Sequence, residues 1–171
     1  FDNINMDLIV GLPNENLEDV RHTMEQLEKL QPDNVTVHSL AIKRAARLNM
    51  FKEDYTSLKM ENTWEHIEVT ADYCKRMGLQ PYYLYRQKYM SGSFENVGWT
   101  KPGGTGLYNI YIMEEAQNII ACGAGGSTKL IDHSTGKITR HFNYKFPYEY
   151  ISRYEKMTAY KPQLEEFLSQ L

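Results

Sequence analysis

Apolar positions recur along this chain in two rhythms, one of period two and one of period three to four. Residues 4–10 (Ile-Asn-Met-Asp-Leu-Ile-Val) form a short apolar run ended by Gly11-Leu12-Pro13, the pattern of a buried strand followed by a turn. Side chains alternate along a strand, so Ile4, Met6, Leu8 and Val10 face one way and Asn5, Asp7 and Ile9 the other. Leu17, Val20, Met24 and Leu27 then recur at spacings of three and four, which predicts a helix with one apolar face. Asn16 stands where it can cap that helix, with Glu18 and Asp19 favourable at its positive end. Gln31-Pro32-Asp33 stops it, since proline has no backbone N–H to donate. Residues 35–41 read as a second strand. Strand, helix and strand joined by short loops predict a βαβ unit, with a right-handed crossover and a parallel sheet.

A polar, irregular stretch follows over residues 43–59, and then a helix is expected over 62–77, with Trp64, Ile67, Ala71 and Cys74 on one face and Gly78 as its stop. The tyrosine-rich residues 79–86 predict a third strand of the same series. Beyond them the rhythm breaks. Residues 89–106 hold five glycines and a proline, which predicts a long loop. Strands are expected over 107–113 and 117–122, around the polar turn Glu114-Glu115-Ala116. Residues 129–132 and 137–140 flank His133-Ser134-Thr135-Gly136 as a hairpin. A final helix is predicted from Pro147 to the end, broken near Lys161-Pro162. The expected division is 1–88 for the βα units and 89–171 for a mainly antiparallel β region with a terminal helix.

Composition narrows the function classes. At 171 residues, with 42% apolar and 24% charged residues, the chain can bury its own core. The net charge is −3 and the densest basic stretch is Lys43-Arg44-Ala45-Ala46-Arg47, so no nucleic-acid partner is expected. No apolar run approaches the roughly 20 residues of a membrane span, and no export leader is visible. Cys74 and Cys122 are far apart and make no disulfide framework, consistent with an expected cytoplasmic location. The chain opens at Phe1, without a methionine, and enters a strand within three residues. A cut from a longer protein is the expectation.

Three places could carry chemistry. Asp7 faces a barrel lumen or the cleft side of a sheet and there needs a partner; it is either a buried carboxylate bonded to backbone or an acceptor for a ligand's hydroxyl or amine. Gly11-Leu12-Pro13 lies beyond the carboxyl end of its strand, where α/β sheets place ligands. The run Ala121-Cys122-Gly123-Ala124-Gly125-Gly126-Ser127-Thr128-Lys129 could let backbone N–H groups cradle an anion, although it fits neither a P-loop nor a dinucleotide fingerprint. The glycine-rich residues 98–106 read as a mobile loop or a lid. The histidines show no metal spacing, and His133 and His141 are expected to be solvated. Tyr82, Tyr83, Tyr85, Tyr89 and Tyr108 read as packing. The sequon Asn34-Val35-Thr36 lies at a buried strand start and reads as chance.

In this order the signals form a recognisable series. Asn5-Met6-Asp7-Leu8-Ile9-Val10-Gly11-Leu12-Pro13, Leu30-Gln31-Pro32-Asp33, Val37-His38-Ser39-Leu40-Ala41 and residues 123–127 together resemble the oxygen-independent coproporphyrinogen III oxidases. Phe94-Glu95-Asn96-Val97-Gly98 is most similar to their HemZ branch of coproporphyrinogen dehydrogenases. The resemblance implies an α/β fold: the C-terminal part of a partial (β/α) barrel of the radical S-adenosylmethionine (radical SAM) type, followed by the smaller β region. It implies a parent protein holding S-adenosylmethionine and a [4Fe–4S] cluster, whose 5′-deoxyadenosyl radical takes hydrogen from a propionate that then leaves carbon dioxide and a vinyl group. By resemblance Asp7 and Ala41 bind S-adenosylmethionine from adjacent strands and Ser127 from the glycine-rich turn, with Gly123, Gly125 and Gly126 allowing the approach. No residue is implied as a catalytic acid or base.

The family's three-cysteine cluster motif is absent, and two distant cysteines cannot supply three thiolates to one cluster. The expectation is a segment inactive alone that binds neither cofactor firmly, with a porphyrinogen or haem-like molecule as the parent's partner. An unpaired parallel edge at residues 4–10 would invite self-association. The competing readings are a haem-trafficking relative of the same family and an unrelated α/β ligand-binding domain.

Overall fold

The computed structural model describes residues 1–42, 53, 57–86 and 91–169; most of the irregular stretch expected over 43–59 lies outside them, as does Tyr89. The chain forms two compact units, Phe1–Ile110 and Tyr111–Leu171.

The first unit is built on the anticipated βαβ element. Strand β1 (Asn5–Val10) leads through helix α1 (Leu17–Leu30) to strand β2 (Asn34–Ser39), and helix α2 (Trp64–Arg76), strand β3 (Gln80–Tyr85) and strand β4 (Asn96–Thr100) follow. Asn16 caps α1 as expected: its side chain accepts from the N–H groups of Glu18 (2.8 Å) and Asp19 (3.2 Å), and Asp19 accepts from the N–H of Asn16 at 3.0 Å. That reciprocal pairing satisfies donors that a helix start would otherwise leave open. Gln31 ends α1 in the left-handed region at φ 51°, one residue before Pro32, and Gly78 follows α2 at φ 75°.

The sheet order is β1-β2-β4-β3. β1 and β2 are parallel, with Asp7 opposite Thr36 and Ile9 opposite His38. β4 runs antiparallel to both β2 and β3, which corrects the expectation of a wholly parallel sheet. β3 does point the same way as β1 and β2, but β4 lies between it and β2. The stretch read as a loop over 89–106 therefore contributes an inner strand, and the first unit runs past residue 88. Val97 and Trp99 pack toward the core while Asn96, Gly98 and Thr100 alternate with them, and these three are buried as well; the glycine density masked the strand.

The core lies between the sheet and the two helices. Val10, Val35, Val37, Leu79 and Trp99 meet Val20 and Met24 of α1 and Tyr73, Cys74 and Met77 at the end of α2. The buried face of α2 is His66, Thr70, Tyr73 and Cys74, with Ile67 and Ala71 partly buried against the core and Trp64 exposed. Ile67, Ala71 and Cys74 thus lie on the core side as expected, and Tyr73 rather than Trp64 supplies the aromatic contact. Met6, Leu8 and Val10 turn toward the core side of β1, and Asn5, Asp7 and Ile9 are exposed, as strand alternation requires. β1 is an edge strand, hydrogen-bonded only to β2 among the described strands.

In the second unit the hairpin forms as anticipated. β5 (Ser127–Asp132) and β6 (Lys137–Phe142) pair antiparallel, with Lys129 opposite Arg140. Two neighbouring readings are corrected. Leu107–Met113, read as a strand, is the short helix α3, opened by bonds from the N–H groups of Asn109 and Ile110 to Gly106 O; a seven-residue apolar run does not distinguish strand from helix by periodicity. The strand expected over 117–122 reduces to one bridge, in which Ile119 and Lys129 exchange two backbone bonds of 2.8 Å. The terminal helix is three: α4 (Pro147–Ser152), α5 (Tyr154–Thr158) and α6 (Lys161–Ser169). Arg153, at φ −116°, makes the first break, and Pro162 sits in the first turn of α6, where a missing N–H costs nothing. Among the described residues no helix is long and apolar enough to cross a membrane.

The hairpin turn carries its own pH signature. Asp132 accepts from the hydroxyl groups of Ser134 and Thr135, both at 2.6 Å, and from their N–H groups at 2.9 and 3.3 Å. The two hydroxyl bonds, then the backbone bonds, push its carboxyl down to about 2. A carboxyl lowered on folding contributes stability above its unfolded value of about 3.9 and loses it as pH falls through the folded one. A carboxyl-carbon titration is expected to place the Asp132 midpoint near 2 with the Ser134 and Thr135 amides moving alongside; a midpoint near 4 would show the turn bonds are not formed.

Candidate functional site

The face of the first sheet opposite the helices carries a connected polar group, exposed along β1 and buried at Thr36. The side-chain amide of Asn5 donates to Asp7 Oδ1 at 2.7 Å, and the Thr36 hydroxyl donates to Asn5 Oδ1 at 3.0 Å. His38 Nε2 stands 3.8 Å from the same Asp7 oxygen. Burial raises the phenol of Tyr83. Its ring covers Gly98, where an added Cβ would come within 2.0 Å of it, and the Tyr82 ring meets it edge-on at 4.8 Å. Asp7 thus has the partner its position demands, but from side chains rather than backbone, and its side chain remains 64% exposed. A carboxylate held at one oxygen and open to solvent can accept further donors.

Ala41 lies just past β2, half-buried in an isolated bridge. The N–H of Leu40 bonds Val10 O at 3.0 Å, so Ala41 and the turn after β1 share the carboxyl ends of two parallel strands. That turn is closed from within: Gly11 adopts φ 81°, and the N–H groups of Gly11 and Leu12 donate to Glu15 Oε2 at 2.7 and 3.1 Å. Sequence reading missed Glu15, whose signal is a carboxylate four residues beyond a strand-ending glycine. It also missed Asn96, whose Oδ1 accepts the N–H of Ser39 at 3.0 Å and ties β4 to the end of β2.

Gly123, Gly125 and Ser127 lie together in the second unit. Gly123 and Gly125 take φ 89° and 73°, open to glycine at little cost. The expected anion cradle does not appear in their amides: Gly123 donates to the Tyr150 hydroxyl (3.2 Å), Gly125 to Tyr144 O (2.8 Å) and Gly126 to Gly123 O (3.2 Å). Gly126 packs closely, as an added Cβ would meet the Asn143 side-chain amide at 3.1 Å. The turn delivers Ser127 to the head of β5, opposite Phe142. The lid reading of 98–106 is corrected as well. Residues up to Thr100 belong to β4, and the following turn is held by Lys101 O accepting from Gly104 N–H (2.9 Å) and Gly104 O accepting from Asn3 (3.0 Å). His141, expected to be solvated, stacks on Tyr160 with ring centroids 4.7 Å apart.

The residues do not fit an iron–sulfur cluster. Cys74 is buried and Cys122 exposed, and no group of three or more His, Cys, Asp or Glu that could hold a metal ion occurs among the described residues. Burial pushes the Cys74 thiol up to about 12, and the thiolate is the nucleophile. A thiol-titrating reagent is therefore expected to modify one cysteine, Cys122, in the folded chain and both in denaturant; fast native reaction at Cys74 would place it outside the core.

No protein-family model matches the chain. Over 161 residues, 94% of its length, it is 46% identical to the "Oxygen-independent coproporphyrinogen-III oxidase-like protein HemZ" of Bacillus subtilis. The chain resembles HemZ along nearly its whole length. It spans 32% of HemZ, so about two thirds of that protein has no counterpart in these residues. A stretch of 41 residues, 24% of the chain, is 44% identical to the oxygen-independent coproporphyrinogen III oxidase of Synechocystis and covers 9% of it. Among solved structures, coproporphyrinogen III oxidase (HemN) of Escherichia coli, described as a radical SAM enzyme, superposes with a TM-score of 0.59 at 15% identity, over 91% of this chain and 35% of that one. At that identity the likeness is one of fold. The resemblance to HemZ extends across the chain, whereas the match to the Synechocystis enzyme is confined to 41 residues.

Proposed function

We propose that the chain is the C-terminal part of a radical SAM protein that oxidatively decarboxylates coproporphyrinogen III, and that it supplies one wall of the S-adenosylmethionine site. The observation that carries this is the 46% identity to HemZ over 94% of the chain, joined to a sheet face on which the strand matching the family's Asp-Leu-Ile-x-Gly-Leu-Pro block presents an accessible carboxylate. S-adenosylmethionine, reduced at a cluster held by other residues, would supply the hydrogen-abstracting chemistry that turns a propionate into a vinyl group.

This chain's own residues bind and orient. Asp7 accepts from the cofactor's polar hydrogens, with Asn5 and His38 setting the direction of its carboxylate. Ala41 lines the same site at the end of β2 as a small half-buried group that leaves room. The free edge of β1 pairs with a further strand of a partial barrel, since an open parallel edge is otherwise a point of self-association. The cluster ligands come from outside these residues, which hold two cysteines where three thiolates are needed.

The test is a full-length protein carrying this segment, with its cluster reconstituted, incubated with coproporphyrinogen III and S-adenosylmethionine. Vinyl product and carbon dioxide are expected. Capture of haem without vinyl product would overturn the reading in favour of a haem-trafficking relative.

A further inference from the structure

The second unit holds a buried cation that its own structure leaves under-partnered. Lys129, in the middle of β5, has a side chain only 8% exposed. An ammonium has three hydrogens to place, and removing it from water without partners is costly. Among the described residues the only carboxylate oxygen within salt-bridge reach is Glu115 Oε1, at 3.7 Å, beyond a good hydrogen bond. That same oxygen is held at 2.9 Å by Arg140 Nη2, the cross-strand neighbour of Lys129. Two cations thus share one carboxylate, and the cluster keeps an excess positive charge.

These groups line a small cavity of about 260 Å³ together with Ser127, Ile112 and Ile119. Its chemistry is specific: two cationic donors and a hydroxyl, with two aliphatic side chains beside them. Its volume lies below the roughly 300–1,000 Å³ of pockets that enclose a whole drug-sized molecule. It is sized for an arm, not a macrocycle.

The geometry points to this cavity as a carboxylate-arm subsite. Lys129 and Arg140 bind the carboxylate of a short aliphatic acid side chain, and Ile112 and Ile119 pack on its methylenes. Resting on the function proposed above, the arm is a propionate of the tetrapyrrole substrate, anchored here. Glu115 acts as an internal competitor that occupies the cations until the substrate carboxylate arrives.

The full 171-residue chain tests this with three probes: sodium propionate, coproporphyrin III and its tetramethyl ester. Amide chemical shifts are followed for the first and tetrapyrrole fluorescence for the others. Propionate is expected to shift the amides of Glu115, Ile119, Ser127, Lys129 and Arg140. Lys129→Met is expected to weaken propionate and coproporphyrin III at least tenfold, whereas Glu115→Gln, which removes the competitor, should tighten both at least threefold. A purely structural role for the cluster would weaken binding in both variants. Should Lys129→Met lose its dispersed spectrum, Arg140→Gln at the more exposed cation carries the same expectation. If propionate leaves these amides unmoved in the native chain and in Glu115→Gln, the subsite is wrong whatever the tetrapyrrole does. If propionate binds there but coproporphyrin III and its ester bind alike or not at all, the pocket stands and the substrate reading fails.

Discussion

Gly98→Val is expected to destabilise the first unit by about 3 kcal/mol, the upper range for forcing extra carbon into a filled site. Any Cβ at this position would stand 2.0 Å from Cε1 and 2.3 Å from Cδ1 of Tyr83, and 2.9 Å from Cε1 of Tyr82. None of these atoms is the free end of a flexible chain. The Tyr83 ring can leave only by giving up its edge contact with Tyr82. A glycine covered by a cross-strand aromatic ring is one way that a sheet tolerates glycine in an inner strand, and Tyr83 and Gly98 are paired in register. Urea unfolding of the variant should show a lower midpoint at unchanged slope. Combining it with Tyr83→Ala should recover part of the loss, because the clash is removed with the ring. Additive losses in that double variant would show that the ring does not lie over Gly98.

That same glycine explains why β4 was not legible. The βαβ start was readable because each local signal agreed with the next: alternation in β1, three-to-four spacing in α1, a capping asparagine and a proline stop. In β4 the signals conflict. Only Val97 and Trp99 are large apolar residues, and glycine density argues for a loop, whereas the compensation for Gly98 comes from Tyr83, fifteen positions earlier on a different strand. α3 failed for a related reason, since its apolar residues satisfy either period over so short a run. A long-range partner, not propensity, decided β4.

The candidate site divides along the same line. The outward direction of Asp7 follows from strand period alone, and the structure agrees with it. The group around it does not follow: Thr36 and His38 reach Asn5 and Asp7 only through the parallel register of β1 with β2. Lys129 is the stronger case. In sequence it is a polar residue in a hairpin strand, and its burial goes with the bridge to Ile119 and the carboxylate of Glu115. Neither contact leaves a periodic trace.

Replacing Asp7 by alanine, in the longer protein that the proposed function requires, is expected to weaken S-adenosylmethionine binding by about ten- to hundredfold, the loss of a hydrogen bond to a charged acceptor. Among the described residues Asp7 holds Asn5, at 2.7 Å, and His38, at 3.8 Å, and its carboxylate is mostly exposed. Exposed pairs of this kind contribute little to folding, so the unfolding free energy should change by no more than about 0.5 kcal/mol. The two readouts therefore separate a binding role from a structural one. Asp7→Asn keeps an acceptor but removes the charge, and it should fall between the native protein and Asp7→Ala in affinity. His38→Gln tests the neighbouring group, since without His38 the carboxylate keeps its charge but loses a partner that limits its rotation, and binding should weaken less than in Asp7→Ala. If Asp7→Ala lowers the melting temperature by several degrees and leaves cofactor affinity intact, Asp7 is part of the scaffold and its face of the sheet is not the cofactor wall.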